Sequence, residues 1–315
     1  MLKDESAPIP AVVRKEFSES KIIVAIPAYN EGPTIGSVVL KARQFAGEVV
    51  VIDDGSTDDT AETAALAGAH VIHHQFNLGY GAALRSCFRY AKDSPADVLV
   101  ILDGDGQHEP SAIPSVADPI ILGRADVSIG SRFLVGKTAN AVPRYRRFGI
   151  GILTKLTNLG TRAGTKLRDA QSGFRAYSRK AIDLLDPRDA DMGASTEIIW
   201  EASGNGLRIV EVPIDVRYSV GGSTKGPVRH GLGVIGSMIR YVETEHALIT
   251  FGLPGLVLFV VGLAIGWNVV QSYSRTSQLA VGQALVTVLI LVIGMLLGFT
   301  GLILHAVINA NKRLK

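Results

Sequence analysis

The sequence predicts an α/β domain built on a parallel sheet, followed by two helices that span a membrane. Short β-branched segments alternate with helical segments over the first part of the chain. This alternation is typical of repeated βα units, in which helices cover both faces of a parallel sheet. Two long uncharged apolar runs follow near the C-terminus, and each is long enough for the ~20 helical residues that a bilayer core requires.

The βα alternation is regular up to about residue 130. Strands are predicted at 21–26, 48–53, 70–73, 97–102 and 126–130, and helices at 34–45, 58–67, 81–91 and 111–122. Beyond residue 143 a basic helical stretch (143–166), a short helix (194–203) and a strand (208–216) are predicted. Because such sheets bind ligands at the carboxyl ends of their strands, we expect functional residues directly after strands.

The charge pattern separates the two parts of the chain. Of the 315 residues, 47% are hydrophobic and 19% are charged, and no Asp or Glu occurs in 247–315. The positive excess of +3 therefore comes from the C-terminal part. A nucleic-acid binder carries its basic excess on the folded domain, so no nucleic-acid partner is expected. Cys87 is the only cysteine, which excludes an internal disulfide.

The apolar runs at 247–270 and 284–310 are predicted to form a hairpin, because the link 271–283 is short. Buried core helices are the alternative, but these rarely run so far without a charge. Basic residues flank the outer ends of the hairpin, whereas the link carries only Arg275. The positive-inside rule then places the N-terminal part and the C-terminus in the cytoplasm, on a cell membrane or an ER-type membrane.

Four segments are expected: an N-terminal extension (1–20), a globular domain (21–228), an amphipathic interfacial helix (229–246) and the two membrane helices (247–315). Small residues let membrane helices approach closely. A homo-oligomer is therefore possible through glycines of the two helices: Gly262, Gly266, Gly294, Gly298 and Gly301.

Carboxylates follow three of the predicted strands, in the segments PAYNE (27–31), DDGSTD (53–58) and DGDGQH (103–108). Residues i and i+2 of an extended segment project to the same side, so Asp103 and Asp105 can face one hard cation. Mg²⁺ or Mn²⁺ is held by one or two carboxylates together with substrate phosphates. The alternative is a solvated acidic turn, since Asp and Gly are ordinary turn residues.

Asp53 suits a different role, because a carboxylate at a strand end can accept a hydrogen bond from the N–H of uracil or guanine. Its alternative role is a helix N-cap. The segment 77–81 contains GxG before a helix, but Leu84 breaks the full GxGxxG pattern. A dinucleotide-binding dehydrogenase is therefore not expected.

Six segments occur in a characteristic order: PAYNE, VIDDGSTDDT, NLGYGAALR, LDGDGQHEP, SIGSRF and DAQSGFRAYSRKAI. Together they resemble family-2 glycosyltransferases, specifically the polyprenyl-phosphate sugar synthases typified by dolichyl-phosphate mannose synthase, over about residues 21–242. The resemblance implies a GT-A fold and an inverting, metal-dependent sugar transfer. It leaves the donor open among GDP-mannose, UDP-glucose and UDP-GlcNAc, because the segment 217–231 is closer to archaeal and bacterial relatives.

The resemblance also implies roles for individual residues. The nucleotide would be held by Pro27, Tyr29, Glu31 and Asp53, and the metal and diphosphate by Asp103, Asp105 and Gln107. Substrate phosphates would be held by Arg132 and Arg217. The acceptor-side motif would comprise Asp169, Ser172 and Arg175.

A basic segment follows, containing Arg144, Arg146 and Arg147 among interleaved apolar residues. Such a segment favours an anionic bilayer surface, where the phosphate of a polyprenyl or dolichyl lipid would lie; the alternative is a solvated helix face. Arg217 precedes the segment GGSTKG, which contains Lys225, and the glycines of this segment would let both residues close over bound substrate.

The predicted chemistry needs little general-base assistance, because a phosphate whose second pKa is about 6 is already ionised near neutral pH. Asp105 and Asp169 are the candidates if a base is used. One alternative is a glycosyltransferase acting on a lipid-linked saccharide or a membrane lipid hydroxyl, which requires a true base. Another is a catalytically silent nucleotide-sugar scaffold held at the membrane.

Overall fold

The structure is a computed structural model, and it describes residues 20–134, 144–161, 166–189, 193–216, 251–278 and 280–313. The chain forms two compact units, residues 1–237 and 238–315. Several predicted features lie outside the described residues: the N-terminal extension up to residue 19, the interfacial helix 229–246, Arg217 and Lys225.

The first unit is a seven-stranded sheet with helices on both faces. Its strands are β1 Ile22–Ala28, β2 Glu48–Asp53, β3 His70–His73, β4 Val98–Ile101, β5 Val127–Ser131, β6 Arg175–Ser178 and β7 Ile209–Pro213. Its described helices are α1 Gly32–Ala42, α2 Thr60–Leu66, α3 Tyr80–Asp93, α4 Ile113–Ile121, α5 Arg144–Leu159, α6 Arg179–Leu184 and α7 Ala194–Gly204. A short 3₁₀ helix, Pro110–Ala112, precedes α4.

The sheet order is β3-β2-β1-β4-β6-β5-β7, and only β6 runs antiparallel to its neighbours. The five strands predicted up to residue 130 are confirmed with ends shifted by two residues or fewer, and β7 is shorter than predicted. The predicted parallel pairing holds among β1, β2, β3 and β4 and between β5 and β7, whereas β6 departs from it. The segment RAYS of β6 carries no alternating apolar pattern, so its place between β4 and β5 depends on distant partners.

Two apolar cores lie on opposite faces of the sheet. Helices α3, α6 and α7 cover one face, with Phe88 packed edge-on against Tyr177. Helices α1, α2 and α4 cover the other face, with Ile35 and Ile113 fully buried. Every residue of β1 is buried, as expected for a strand that is covered on both sides.

The chain order reverses at β1, because β2 lies on one side of it and β4 on the other. The carboxyl ends of β1 and β4 therefore border a crevice, which is where open α/β sheets bind ligands. The segment PAYNE leaves β1 there, and DGDGQH leaves β4.

The second unit contains two helices, α8 (Leu253–Thr276) and α9 (Val281–Arg313). Residues 253–275 and 281–304 are long and apolar enough to cross a membrane. Both helices extend into the link predicted at 271–283. Helix α8 continues to Thr276 and ends where Ser277 takes a left-handed conformation with φ of 52°, so the connection is shorter than predicted.

Glycines let the backbones of α8 and α9 approach closely. A Cβ atom built on Gly255 would lie 2.5 Å from the backbone nitrogen of Gly298 and 2.8 Å from the carbonyl oxygen of Gly294. A Cβ on Gly262 would meet Leu291. Gly262, Gly266 and Gly294, which were expected to pair two chains, therefore pack against the other helix of the same chain. The homo-oligomer remains a prediction.

We expect Gly255→Ala to destabilise the hairpin, because the added methyl would meet backbone atoms that have no rotamer to change. Gly298→Ala is the matched control, since its Cβ would meet nothing within 4 Å and alanine favours a helix over glycine. Thermal unfolding in lipid nanodiscs, followed by Trp267 fluorescence in a Trp200→Phe background, should show a lower midpoint for Gly255→Ala only. Equal losses in both variants would contradict the glycine contact.

Candidate active site

The loops after β1 and β2 are joined by hydrogen bonds. Asn30, at a left-handed φ of 55°, donates its backbone N–H to Ser56 Oγ at 2.9 Å. The side-chain oxygen of Asn30 accepts the N–H of Thr57 at 2.9 Å. The N–H of Glu31 is donated to Thr60 Oγ1 at 2.8 Å. The two segments therefore form one wall of the crevice, with the Glu31 side chain at the start of α1.

The acidic loop after β4 is tied to both sides of the crevice. Thr34 on α1 donates its hydroxyl to the carbonyl oxygen of Gly104 at 2.8 Å. Tyr80, the first residue of α3, donates its hydroxyl to Asp103 Oδ1 at 3.2 Å. A Cβ on Gly173 would lie 2.4 Å from Asp103 Oδ2. The Asp103 carboxylate is thus oriented by Tyr80 and accommodated only because residue 173 is glycine.

Three carboxylates share this crevice. Lost hydration, followed by repulsion from Asp105 and Asp103, raises the pKa of Glu31 from its ordinary 4.5 to about 7. Lost hydration also raises the pKa of Asp103. His108, 3.9 Å from Asp103 through Nε2, has its pKa lowered to about 4 by lost hydration and by Arg132. A neutral imidazole does not offset the negative charge, so a bound cation would relieve it.

The oxygen ligands available here fit a hard divalent cation. Asp103 and Asp105 lie on one loop, and Asp105 Oδ1 accepts the N–H of Gln107 at 2.9 Å. Among the described residues, no group of three His, Cys, Asp or Glu side chains is placed to hold a metal ion by itself. Two carboxylates completed by substrate oxygens are a normal Mg²⁺ arrangement.

At the other end of the crevice, Asp53 is paired with His73. The two residues are register neighbours on β2 and β3, and Asp53 Oδ2 lies 2.5 Å from His73 Nδ1. The Asp53 side chain is fully buried, whereas the His73 side chain is 54% exposed. Asp53 also accepts the N–H of Ser56 at 3.2 Å. The sequence predicts that the Asp53 carboxylate is open to the nucleotide base. In the structure the exposed group at this position is instead the His73 imidazole.

The remaining residues expected at the nucleotide lie on the same side of the crevice. Pro27 is buried within β1, and the Tyr29 side chain that follows it is exposed.

A neighbouring network of hydrogen bonds holds the loop that leads to Tyr80. Asp54 accepts the N–H groups of Leu78 and Gly79 at 3.0 and 2.9 Å.

Arg132 and Asp169 form a bidentate ion pair. Arg132 donates Nε and Nη2 to the two carboxylate oxygens at 2.7 Å each, and its backbone N–H at 3.0 Å. The side chain of Asp169 is fully buried and that of Arg132 is 13% exposed. Arg132 is therefore not a surface arginine paired with Asp126, which instead bonds Arg208. The carboxylate of Asp169 is enclosed and accepts three N–H groups, an environment that does not favour a general base, and its role stays a prediction.

The structure places Arg175 and Ser172, which are predicted to lie on the acceptor side, within the protein interior, and their contact with the acceptor stays a prediction. The Arg175 guanidinium donates to the carbonyl oxygens of Ala170, Ser172 and Ser195 at 2.8–2.9 Å. These bonds satisfy a buried cation without a carboxylate and hold the loop that carries Asp169. Arg175 and Ser172 therefore lie in the interior and support the loop that carries Asp169.

The basic segment forms α5, as predicted, and includes Arg144 and Arg146. Arg147 is exposed, as are Lys155, Ile152 and Leu156 further along the helix. Two aliphatic side chains one turn apart thus share the solvent side with a lysine. Such a mixed surface is typical of a helix that lies on an anionic membrane.

Some site residues escaped sequence reasoning. Tyr80, His73 and Gly173 act through Asp103 and Asp53, which lie at least 20 positions away in the chain. The only sequence signal for His73 was its position at the end of a predicted strand. Contacts of this kind become visible only when the strands are placed side by side.

The family model for glycosyl transferase family 2 matches residues 23–185. The chain is 34% identical over 218 residues to the polyprenol monophosphomannose synthase of Mycolicibacterium smegmatis, covering 65% of this chain and 79% of that protein. It is 30% identical over 223 residues to a UDP-N-acetylglucosamine–dolichyl-phosphate N-acetylglucosaminyltransferase of Methanococcus voltae, covering 64% and 88%. The protein belongs to glycosyltransferase family 2.

The fold is also that of solved glycosyltransferase structures. Glucosyl-3-phosphoglycerate synthase from Mycobacterium tuberculosis, in complex with Mn²⁺, UDP and glucosyl-3-phosphoglycerate, aligns with a TM-score of 0.54 and 22% identity. The alignment covers 72% of this chain and 82% of that chain. The GT-A, Rossmann-like architecture expected from the sequence is thereby confirmed.

We expect Glu31→Gln to stabilise the ligand-free protein at high pH. A carboxyl with a folded pKa of about 7 makes the wild-type protein lose stability as pH rises from 4.5 to 7, because the unfolded chain ionises first. The amide has no proton to lose. Thermal midpoints should diverge over that interval and stay apart above it, whereas exposed Glu62→Gln should show no such gain. A constant difference from pH 4 to 8 would contradict the electrostatic cause.

Proposed function

We propose that this enzyme transfers a sugar, with inversion, from a UDP- or GDP-linked donor to a dolichyl or polyprenyl phosphate at the cytoplasmic face of a membrane. The acidic crevice would bind the donor diphosphate, and Arg132 would face the phosphates. The hairpin would anchor the chain in a cell or ER-type membrane.

The observation that carries this proposal is that the Asp169 carboxylate is buried and paired with Arg132. An acceptor hydroxyl needs a base to remove its proton. Of the two candidate bases, Asp169 is buried and accepts three N–H groups of Arg132, and Asp105 is proposed to bind the metal. A phosphate acceptor is already ionised near neutral pH. The site therefore suits a phosphate better than a hydroxyl, and the relatives named for polyprenol and dolichyl phosphate support that acceptor.

The donor would lie along the crevice with its base near β2 and β3. Asp53 Oδ2 lies 2.5 Å from His73 Nδ1. In the neutral tautomer whose Nδ1–H is donated to Asp53, the other ring nitrogen of the exposed His73 is an acceptor. Uracil and guanine both offer a ring N–H to such an acceptor, so the pair His73–Asp53 suits either base.

The diphosphate would lie at the other end, beside Asp103 and Asp105. When bound there, with Gln107 beside it, Mg²⁺ or Mn²⁺ would neutralise charge on the leaving nucleoside diphosphate. Tyr80 holds Asp103 in orientation, and Asp169 holds Arg132. Catalysis would thus rest on positioning and on charge stabilisation rather than on proton transfer. Attack from the face opposite the leaving group would turn an α-linked donor into a β-linked product.

The acceptor lipid would approach from the membrane. Helix α5 exposes Ile152, Leu156 and Lys155 on its solvent side, and its first turns carry Arg144, Arg146 and Arg147. Aliphatic side chains would enter the interface while the basic ones attract anionic head groups. Arg217 and Lys225 would complete the phosphate site.

The test is a transfer assay with the full-length protein in liposomes, polyprenyl phosphate and a panel of GDP-mannose, UDP-glucose and UDP-GlcNAc. One donor should yield a β-linked lipid-phosphate sugar, and EDTA should abolish it. Asp105→Ala should lose most activity, whereas Asp97→Ala, at the opposite end of β4, should keep it. Transfer to unphosphorylated polyprenol would favour a hydroxyl acceptor, and donor binding without transfer would favour a silent scaffold.

Arg132→Lys should lower kcat/KM at least tenfold, about 1.4 kcal/mol of transition-state stabilisation. A lysine cannot keep two parallel bonds to Asp169 and also present a planar donor to phosphate. Arg208→Lys is the matched control, because Arg208 is also paired with an aspartate but is 57% exposed. Exposed pairs contribute little, so this control should keep wild-type efficiency. Equal efficiencies for both variants would show that the phosphate is held elsewhere.

A further inference from the structure

We infer that Glu211 is a positioning residue for Arg132, which it holds through the backbone of the loop that carries Asp169. This inference rests on the proposed function, since it gives Arg132 a phosphate to contact. Glu211 lies on β7, in none of the segments that carry the family resemblance.

The first observation is a double capture of backbone amides. Glu211 Oε1 accepts the N–H of Asp169 at 2.7 Å, and Oε2 accepts the N–H of Arg168 at 2.8 Å. Hydrogen bonds to an ionised acceptor are stronger than neutral ones. The carboxylate therefore sets the position and orientation of the peptide units from which the Asp169 side chain projects.

The second observation is that Arg132 is held from the same strand pair. Strands β5 and β7 run parallel, with Ile129 opposite Glu211 and Ser131 opposite Pro213. Arg132 is the first residue after β5, and its backbone N–H is donated to Asp169 Oδ2. Glu211 thus controls the loop on which Asp169 sits, and Asp169 controls both the backbone and the guanidinium of Arg132.

The third observation is that this arrangement carries an electrostatic cost. Lost hydration and the nearby Asp169 carboxylate raise the pKa of Glu211, while the two amide N–H groups oppose that rise. A neutral side chain would avoid the repulsion between two carboxylates. A neutral side chain would, however, be a weaker acceptor for the two amides and would fix the loop less precisely.

The experiment is a double-mutant cycle on kcat/KM for transfer to polyprenyl phosphate. Glu211→Gln keeps the shape but leaves one oxygen for two amides, and we expect about a fivefold loss, the scale of one net hydrogen bond. If Glu211 acts through Arg132, the double variant with Arg132→Lys should be no slower than Arg132→Lys alone. Independent roles would multiply, giving about a fiftyfold loss, and that result would overturn the inference.

Glu197→Gln is the control for loss of a carboxylate charge that accepts backbone amides. Glu197 accepts two successive backbone amides, of Arg188 and Asp189 at 2.9 and 2.8 Å, both through Oε2, on a different loop. Its effect should multiply with that of Arg132→Lys. A loss from Glu211→Gln no larger than that from Glu197→Gln would assign Glu211 a merely structural role.

Two further arms separate the failures. UDP or GDP binding with Mn²⁺ shows whether the donor site of a variant is folded. If Glu211→Gln abolishes that binding, the variant Glu211→Asp takes its place in the cycle. The shorter aspartate side chain keeps the charge but cannot reach both amides. If Arg132→Lys itself retains full efficiency, the phosphate contact of the proposed function fails. If Arg132→Lys is slow and the cycle is multiplicative, the role of Glu211 alone fails.

Discussion

The structure of this glycosyltransferase is organised around carboxylates that repel one another in a poorly hydrated crevice. Glu31, Asp103 and Asp105 come from the ends of two adjacent strands, and lost hydration, followed by repulsion from Asp105 and Asp103, raises the pKa of Glu31 to about 7. Carboxylates that repel one another stay this close only if the surrounding fold holds them in place. Hydrogen bonds between the loops after β1, β2 and β4 provide that restraint.

The positive side of the site is restrained in a comparable way. The Arg132 guanidinium is fixed by two bonds to a buried carboxylate, and the loop beneath is fixed by Arg175, whose donors meet carbonyl oxygens. Each buried charge is satisfied by several partners, as low-dielectric surroundings demand. A site of this kind loses little free energy to reorganisation when charge develops on a leaving group.

The two units of the chain arrange their apolar residues differently. In the first, apolar side chains form two cores around a sheet, and strand-end loops remain polar. In the second, two helices carry long apolar stretches, and glycines replace a conventional core at the contact between α8 and α9. The lack of acidic residues beyond residue 246 fits that role, since a charge within a bilayer is costly.

The sequence by itself determined the α/β class, five of the strands, the two apolar helices and the strand-end carboxylates. These features are local: β-branched runs, uninterrupted apolar stretches and Asp-Gly turns are written in neighbouring residues. The ordered set of motifs also identified the family, which the family model confirms. For these features, short-range pattern and long-range structure agree.

Only the tertiary structure decided which of the candidates face the crevice. In the folded protein, Asp169 is buried and paired with Arg132, and Arg175 donates to carbonyl oxygens in the interior. Asp53 is buried and paired with His73, and Glu211 accepts a backbone N–H of the Asp169 loop. The tertiary structure also inserted β6 against the parallel direction. Arg175 bonds nearby Ala170 and Ser172 as well as Ser195, 20 positions away. Asp53, Asp169 and Glu211 meet partners 20 to 42 positions away, and these meetings are set by strand order and register. No local periodicity encodes that order, because it results from how the whole sheet buries its two faces.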